Sequence, residues 1–267
     1  MSMSNPLRGA ALLLAMCALA ACATAPETGR SQLLLVDAGQ EAQMGFSAFE
    51  RKKQQTPRAG DRAANQQLQT VGGRIARVAG LPDARWEFVL FADPEPNAFA
   101  LPGGKVGVNT GILPITKDEA GLAAVVAHEI AHVSARHGAE RMSQGIAAQV
   151  GGVILSVALE ASGYGGATRS LATQAYGMGT QYGVLMPYSR LQEAEADRIG
   201  LLYMARAGYD PREAIAFWRR FQSYNAGRGG QVPEFLSTHP LDETRIAELQ
   251  KFLPQAMAEY QRAGGRG

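Results

Sequence analysis

The stretch AAVVAHEIAHVSARHG, residues 123–138, places three of the chain's four histidines within ten positions of an otherwise apolar helical pattern. His128 and His132 stand four apart. At 3.6 residues per turn that spacing rotates through about 40° and rises one turn, so both imidazoles leave one helix face and can converge on a single ion. Glu129 is displaced from His128 by about 100°. It does not share the ion with the histidines, but it reaches a water that the ion holds. This is the H-E-x-x-H arrangement, two zinc ligands and a general base on one rigid element. His137 lies nine positions beyond His128, on the opposite side of the same predicted helix, and is read as a cation at the helix C-terminus interacting with the dipole.

The residues around the motif predict its helix. TKDE, Thr116 to Glu119, is a capping box in which the threonine hydroxyl caps the first turn and the glutamate reaches back. Gly138 is a natural residue to follow the last turn. The expected helix runs from about 117 to 137.

Two histidines do not hold zinc. A catalytic site needs a third protein ligand and one open position. No H-x-x-G-x-x-H extension follows the motif, and no second cysteine is available. The remaining source is SRLQEAEADRIG, residues 189–200, where Glu193 and Asp197 are four apart and face the same way. One of them can bind the metal while the other orients a ligand imidazole from behind. Glu195 points elsewhere, about 200° from Glu193. This segment also reads as a capped helix, with Ser189 and Gln192 as a capping box and Gly208 as its stop.

Upstream, helical patterns span about Asp37 to Gln55 and about Asp61 to Val78, separated by TPRAGD. The period then changes. RWEFVLF, residues 85–91, is rich in strand formers, and NAFALPGGKVGVNTGIL, residues 97–113, has a Pro-Gly-Gly turn followed by a short alternating run. Together they predict a small antiparallel sheet. AAQVGGVILSVALEAS, residues 147–162, is apolar but shorter than the roughly 20 residues needed to span a bilayer. It reads as a buried or membrane-proximal helix, followed by a glycine-rich loop at 163–166 and a second helical stretch. DPREAIAFWRRFQSYN, residues 210–225, and a segment from about Glu243 complete an α+β, mainly α-helical chain.

The N-terminus differs from the rest. It carries one basic residue, Arg8, an apolar run from Ala10 to Ala21, and no acidic residue before Glu27. This reads as a secretory signal of residues 1–21. It ends in LAAC, residues 19–22, which resembles the bacterial lipobox and implies lipid on Cys22. Residues 22–36 are then a lipidated tether and 37–267 the folded domain. Ala23, where inner-membrane lipoproteins carry aspartate, implies the outer membrane, with the domain facing the periplasm. Cys17 and Cys22 are the chain's two cysteines, so a lipidated, processed chain has no thiol pair for a disulfide. The formal net charge is +2 with basic residues scattered, which gives no electrostatic case for nucleic acid.

HEIAH, SRLQEAEAD and NAFALPGG together resemble the HtpX/Oma-type zinc metallopeptidase family, which also includes the CAAX prenyl protease. The resemblance spans roughly residues 40–255. It is nearest in look to the periplasmic lipoprotein members, without the helical-repeat domain that some carry. It implies a gluzincin-like domain with one zinc per chain, held by His128, His132 and Glu193. Glu129 is then the general base and Asp197 the carboxylate behind a ligand histidine. STHPLDETR, residues 237–245, matches a further family element. Its His239 is implied to sit close to the zinc, either as a fourth ligand holding a latent state or as an oxyanion donor, with Arg245 supporting that region. The hairpin strand, Asn97, Ala98, Phe99, Ala100 and Leu101, is implied to pair with an extended substrate backbone. The expected activity is zinc-dependent endopeptidase action on unfolded or misassembled envelope proteins. The alternative is an outer-membrane assembly factor or chaperone whose zinc site stays latched.

Overall fold

The structure, a computed structural model, describes residues 22–229, 232–240 and 243–265. The expected signal peptide, 1–21, lies outside the described residues. The described chain divides into two compact units, 22–37 with 138–185, and 38–137 with 186–265.

In the larger unit, α1 (Ala38–Gln55) and α2 (Arg62–Val78) follow the expected patterns, and the Asp61 side chain caps α2 by accepting from the Ala64 amide. Three strands come next: β3 (Glu87–Phe91), β4 (Ala98–Leu101) and β5 (Lys105–Asn109). The β4–β5 hairpin turns through Pro102, Gly103 and Gly104. Both glycines sit at positive φ, 82° and 88°, where a side chain would be strained. The sheet order is β3-β5-β4, with β4 antiparallel to β5 and β3 parallel to it. The sheet is therefore mixed rather than wholly antiparallel. Residue alternation assigns strand faces but carries no information about strand direction.

That alternation is clean. Phe88, Leu90, Val106 and Val108 point into the main core, while Val89, Phe91 and Phe99 meet Phe49 of α1 on the other face. β4 is an edge strand, and it lies against the motif helix.

A short helix, α3 (Leu113–Thr116), precedes that motif helix, α4 (Glu119–Ser134). The cap is Asp118, which accepts from the Gly121 amide, and not Thr116, which ends α3. Lys117, at φ 73°, makes the break between the two helices. At the other end, α4 stops at Ser134, Arg136 takes a left-handed φ of 53°, and α5 (His137–Ala161) begins at once. Gly138 thus sits inside a new helix rather than after the old one.

α7 (Met186–Arg206) packs along α4. Gln192, Glu193, Glu195, Ala196, Asp197, Ile199, Leu201 and Tyr203 are all buried, so the helix is enclosed all round from Gln192 onward, while Met186 and Leu191 before it are exposed. Ser189 is not its cap, because the helix starts at Met186 and follows directly on a π turn, Gln181–Leu185. Gly208, at φ 77°, follows its last turn as expected, and the Tyr209 amide donates back to Met204. α8 (Arg212–Ala226), the short α9 (Glu234–Thr238) and α10 (Glu243–Arg262) close the unit.

In the smaller unit, β1 (Cys22–Thr24) and β2 (Ser31–Leu33) form an antiparallel hairpin. Arg30 makes a two-pronged ion pair with the buried Glu140 of α5, at 2.7 Å for each hydrogen bond. Ser143 Oγ accepts from the Leu35 amide at 2.8 Å. The stretch read as a tether is thus paired and bonded. α6 (Gly166–Thr180) follows the glycine-rich loop. Among the described residues, α5 is long and apolar enough to cross a membrane, and only 6% of its apolar window is buried. Of the two expected alternatives, buried or membrane-proximal, the buried one does not hold: the helix is exposed, and longer than the apolar run alone because HGAERMSQGI extends it.

Candidate metal centre

α4 presents His128 and His132 on the face that meets α7, as their spacing requires. α7 answers with Glu193 and, one turn on, Asp197. The loop after α9 brings His239 from the far end of the sequence. His132 Nε2 lies 3.1 Å from His128 Nε2, and His239 Nδ1 lies 3.2 Å from His128 Nε2. The Glu193 carboxylate stands 3.3 Å from each of His128 Nε2 and His132 Nε2, and 3.0 Å from His239 Nδ1. All four side chains are buried, and their ligand atoms lie within 4.8 Å of one another.

These separations fit an ion. Ligand atoms about 2.0–2.1 Å from a tetrahedral centre lie about 3.3 Å from one another. Two buried carboxylate oxygens, Glu193 Oε1 and Glu129 Oε1, have no hydrogen-bond partner. A buried anionic oxygen without a donor is costly, and a cation at the centre of this cluster satisfies Glu193. The donor set, imidazole nitrogens with one carboxylate, suits a divalent transition-metal ion.

Behind the cluster, His128 Nδ1 lies 3.0 Å from Asp197 Oδ1. Arg245 donates to both oxygens of Asp197, at 2.7 and 2.9 Å. The same guanidinium lies 3.2 Å from Glu193 and donates to the His239 and Pro240 carbonyls, at 3.3 and 3.1 Å. Arg245 therefore ties the loop that carries His239 to the helix that carries Glu193. Its planar group stacks on Trp218, 3.8 Å from the ring centroid. Trp218 in turn stacks on Phe235, whose ring is 4.8 Å from that of His239.

Electrostatics follow from these contacts. Burial pulls the His128 imidazole down, but hydrogen bonds to Asp197 and Glu193 outweigh it and raise the pKa to about 9 in the metal-free chain. Burial holds His132 well below its ordinary value, and hence neutral. Burial also disfavours the Glu193 charge, yet the surrounding imidazoles hold its carboxyl well below the usual range. For Asp197, burial is overcome by the Arg245 charge, and its pKa is lowered.

The structure thus brings together His128, Glu129, His132, Glu193, Asp197, His239 and Arg245. Glu129 Oε1 is 3.3 Å from His239 Nε2. A cavity of about 530 Å³ opens beside the cluster, between Glu193, Asp197 and Arg245 on one side and Met186, Leu249 and Phe252 on another. Asn97 to Leu101 are not in its lining. Ala98 to Leu101 are β4, and just before it the Asn97 carbonyl accepts from the Asn109 amide. Cys22 opens β1, in the other compact unit.

One expectation is corrected. His137 does not face away as a cation at a helix end. The chain turns at Arg136, and His137 Nδ1 comes to 2.8 Å from His132 Nδ1. Glu195 points away from the Glu193 cluster, as its spacing requires. It is buried, with Oε2 3.0 Å from His137 Nε2. Sequence reasoning also passed over Trp218. Its signal was the run of aromatics at helical spacing in AFWRRF, which reads equally as ordinary core.

The sequence profile of Peptidase family M48 matches residues 62–253. The chain is 41% identical over 186 residues to the mitochondrial metalloendopeptidase OMA1 of Schizosaccharomyces pombe, covering 70% of this chain and 52% of that protein. It is 32% identical over 234 residues to the Beta-barrel assembly-enhancing protease of Escherichia coli K12, covering 85% and 46%. To the mitochondrial metalloendopeptidase OMA1 of Bos taurus it is 34% identical over 181 residues, covering 67% and 35%. The chain spans about half the length, or less, of these relatives.

Proposed function

The chain belongs to peptidase family M48, and from that premise we propose that it is a zinc metalloendopeptidase, binding one ion per chain through His128, His132 and Glu193. The single observation that supports this most is the convergence of four buried ligand atoms within 4.8 Å of one another, with His128 Nε2 3.1–3.3 Å from an atom of each of the other three, which suits a tetrahedral ion. Bound zinc supplies Lewis acidity, lowering the pKa of a water towards about 7 and polarising a carbonyl. Glu129, beside His128 on the same rigid helix, takes the proton of the attacking water and returns it to the leaving amine. Asp197 holds His128 in the tautomer that turns Nε2 to the ion, and Arg245 positions Asp197 and the His239 loop.

His239 is read here as a latch. Its Nδ1 stands where a fourth ligand belongs, and its Nε2 covers Glu129. Four protein ligands make a closed site, whereas catalysis requires an open position for water. Movement of the 237–240 loop frees both the water position and the base. In the open state the same imidazole can donate to an oxyanion. The outer edge of β4, Asn97 to Leu101, is proposed to pair with an extended substrate backbone, which selects chains that are unfolded or misassembled.

We further propose that residues 1–21 are a lipoprotein signal, with Cys22 carrying lipid on the outer membrane and the domain facing the periplasm. The support is the apolar run from Ala10 to Ala21, which ends in LAAC at residues 19–22. Metabolic labelling with palmitate, lost in Cys22→Ser, tests it. A second reading is favoured by the closed ligand set and by the name of the Escherichia coli relative. In it, the chain is an assembly factor or chaperone working with outer-membrane assembly machinery while its zinc site stays latched.

Cleavage of casein by the wild type, Glu129→Gln and His239→Ala separates these readings. The peptidase reading expects slow cleavage by the wild type, none by Glu129→Gln and faster cleavage by His239→Ala. Zinc-loaded wild type and His239→Ala that both leave casein intact would favour the second reading.

A further inference from the structure

We propose that His137 and Glu195 are positioning residues for the metal centre. They form a directed hydrogen-bond chain that fixes the tautomer and the ring plane of His132. The proposal rests on the reading that the cluster holds a metal ion.

The geometry allows one arrangement of protons. His132 turns Nε2 into the cluster, where it must offer a lone pair to an ion. Its other nitrogen, Nδ1, must then carry the hydrogen. That nitrogen lies 2.8 Å from His137 Nδ1, a separation that places one hydrogen between the two rings and excludes a second. His137 Nδ1 therefore accepts, and its hydrogen sits on Nε2. His137 Nε2 lies 3.0 Å from Glu195 Oε2, which as a carboxylate only accepts. The chain runs from Glu195 through His137 to His132 without a free choice at any step.

The surroundings make this chain stiff. His137 is fully buried, and His132 and Glu195 are 6% and 7% exposed. The ring of His137 meets that of His132 edge to face, with centroids 4.9 Å apart. The left-handed turn at Arg136 is what swings His137 back over the end of α4. That turn is tied down by an Arg136 Nε to Glu41 Oε2 hydrogen bond of 2.9 Å. The two histidines of the motif are thereby supported in parallel, His128 by Asp197 directly and His132 by Glu195 through one intervening imidazole. α7 supplies both carboxylates, and Glu193 as well. A carboxylate behind a ligand imidazole raises its basicity and fixes its orientation, and loss of such support typically weakens metal binding by about 10- to 100-fold.

The test measures zinc affinity of the full chain by competition with a chromophoric chelator. The absorption spectrum of the cobalt-substituted protein and the melting temperature of the metal-free form are recorded alongside. Glu195→Gln keeps the shape and the acceptor but removes the charge. His137→Leu removes both hydrogen bonds, and His137→Gln can restore an acceptor and a donor. The proposal expects zinc affinity to fall about 10- to 100-fold in Glu195→Gln and at least as far in His137→Leu, with partial recovery in His137→Gln. It also expects an altered cobalt spectrum and a metal-free melting temperature of Glu195→Gln close to wild type. If His137→Leu does not fold, Glu195→Gln and His137→Gln decide. Wild-type affinity and an unchanged cobalt spectrum in Glu195→Gln would overturn the relay while leaving the metal site intact. A wild type that binds no zinc would overturn the metal reading, and the relay with it.

Discussion

Gly200 and His128 meet backbone to backbone: a Cβ on Gly200 would lie 3.2 Å from the His128 amide nitrogen and 3.3 Å from its Cα. Gly200 is two turns beyond Glu193, on the same face of α7. Its missing side chain sets how closely the helix bearing Glu193 approaches the helix bearing the two histidines. Gly200→Ala is expected to push these helices apart by a few tenths of an ångström. Overpacking of this kind costs about 1–3 kcal/mol. Denaturant unfolding of the metal-free chain reads the loss, and zinc titration reads a weaker site.

Arg245 is fully enclosed and answers the buried charges of Asp197 and Glu193. Replacing it by leucine leaves Asp197 a buried charge without its counter-ion, at a cost of about 3–5 kcal/mol. Arg245→Lys keeps the charge but not the two-pronged geometry. Chemical denaturation should rank wild type above Arg245→Lys and Arg245→Leu lowest. Equal midpoints for all three would show that the pairing contributes nothing.

Trp218 lies under Arg245 and packs edge-on to His128, with ring centroids 6.0 Å apart. Trp218→Phe keeps a ring in place and should be mild. Trp218→Ala opens a cavity beside the site and should cost about 3–5 kcal/mol. Calorimetric melting of both variants, with zinc and without, measures the difference.

The metal-free chain should also respond to pH. Burial lowers the His128 pKa, but Asp197 and Glu193 raise it to about 9, above the unfolded value of 6.5. A raised value means that the folded state binds the proton more tightly. That stabilisation is fully present below pH 6.5 and is lost as pH rises through about 9. The melting temperature of chelator-treated protein should therefore fall from pH 6.5 to 9, and zinc uptake in that window should release a proton. A melting temperature that rises with alkalinity would contradict this assignment.

How much of this was legible in the sequence depends on what each element answers to. The His128–Glu129–His132 unit was legible because helix geometry alone decides which side chains share a face. Glu193 and Asp197 were legible for the same reason. His239 and Arg245 were reached through resemblance, since no local spacing links residue 239 to residue 128. The errors came where tertiary structure overrides local pattern. A helix through residue 137 looked continuous because arginine seldom adopts a left-handed conformation, yet Arg136 does so, and His137 is turned inward. Glu195 was set aside because it lies opposite Glu193, a valid inference only where the helix has a solvent face, and around Glu195 α7 is buried on both sides, with Glu193, Ala196 and Asp197 buried as well. The strand residues were found, but the parallel pairing of β3 with β5 leaves no mark on their alternation.

The most direct test of the central claim is anomalous diffraction at the zinc absorption edge from crystals of the purified chain. The account predicts a single peak within about 2.0–2.2 Å of His128 Nε2, His132 Nε2 and a Glu193 carboxylate oxygen. A zinc-replete crystal with no peak there, or with its zinc bound elsewhere, would contradict it.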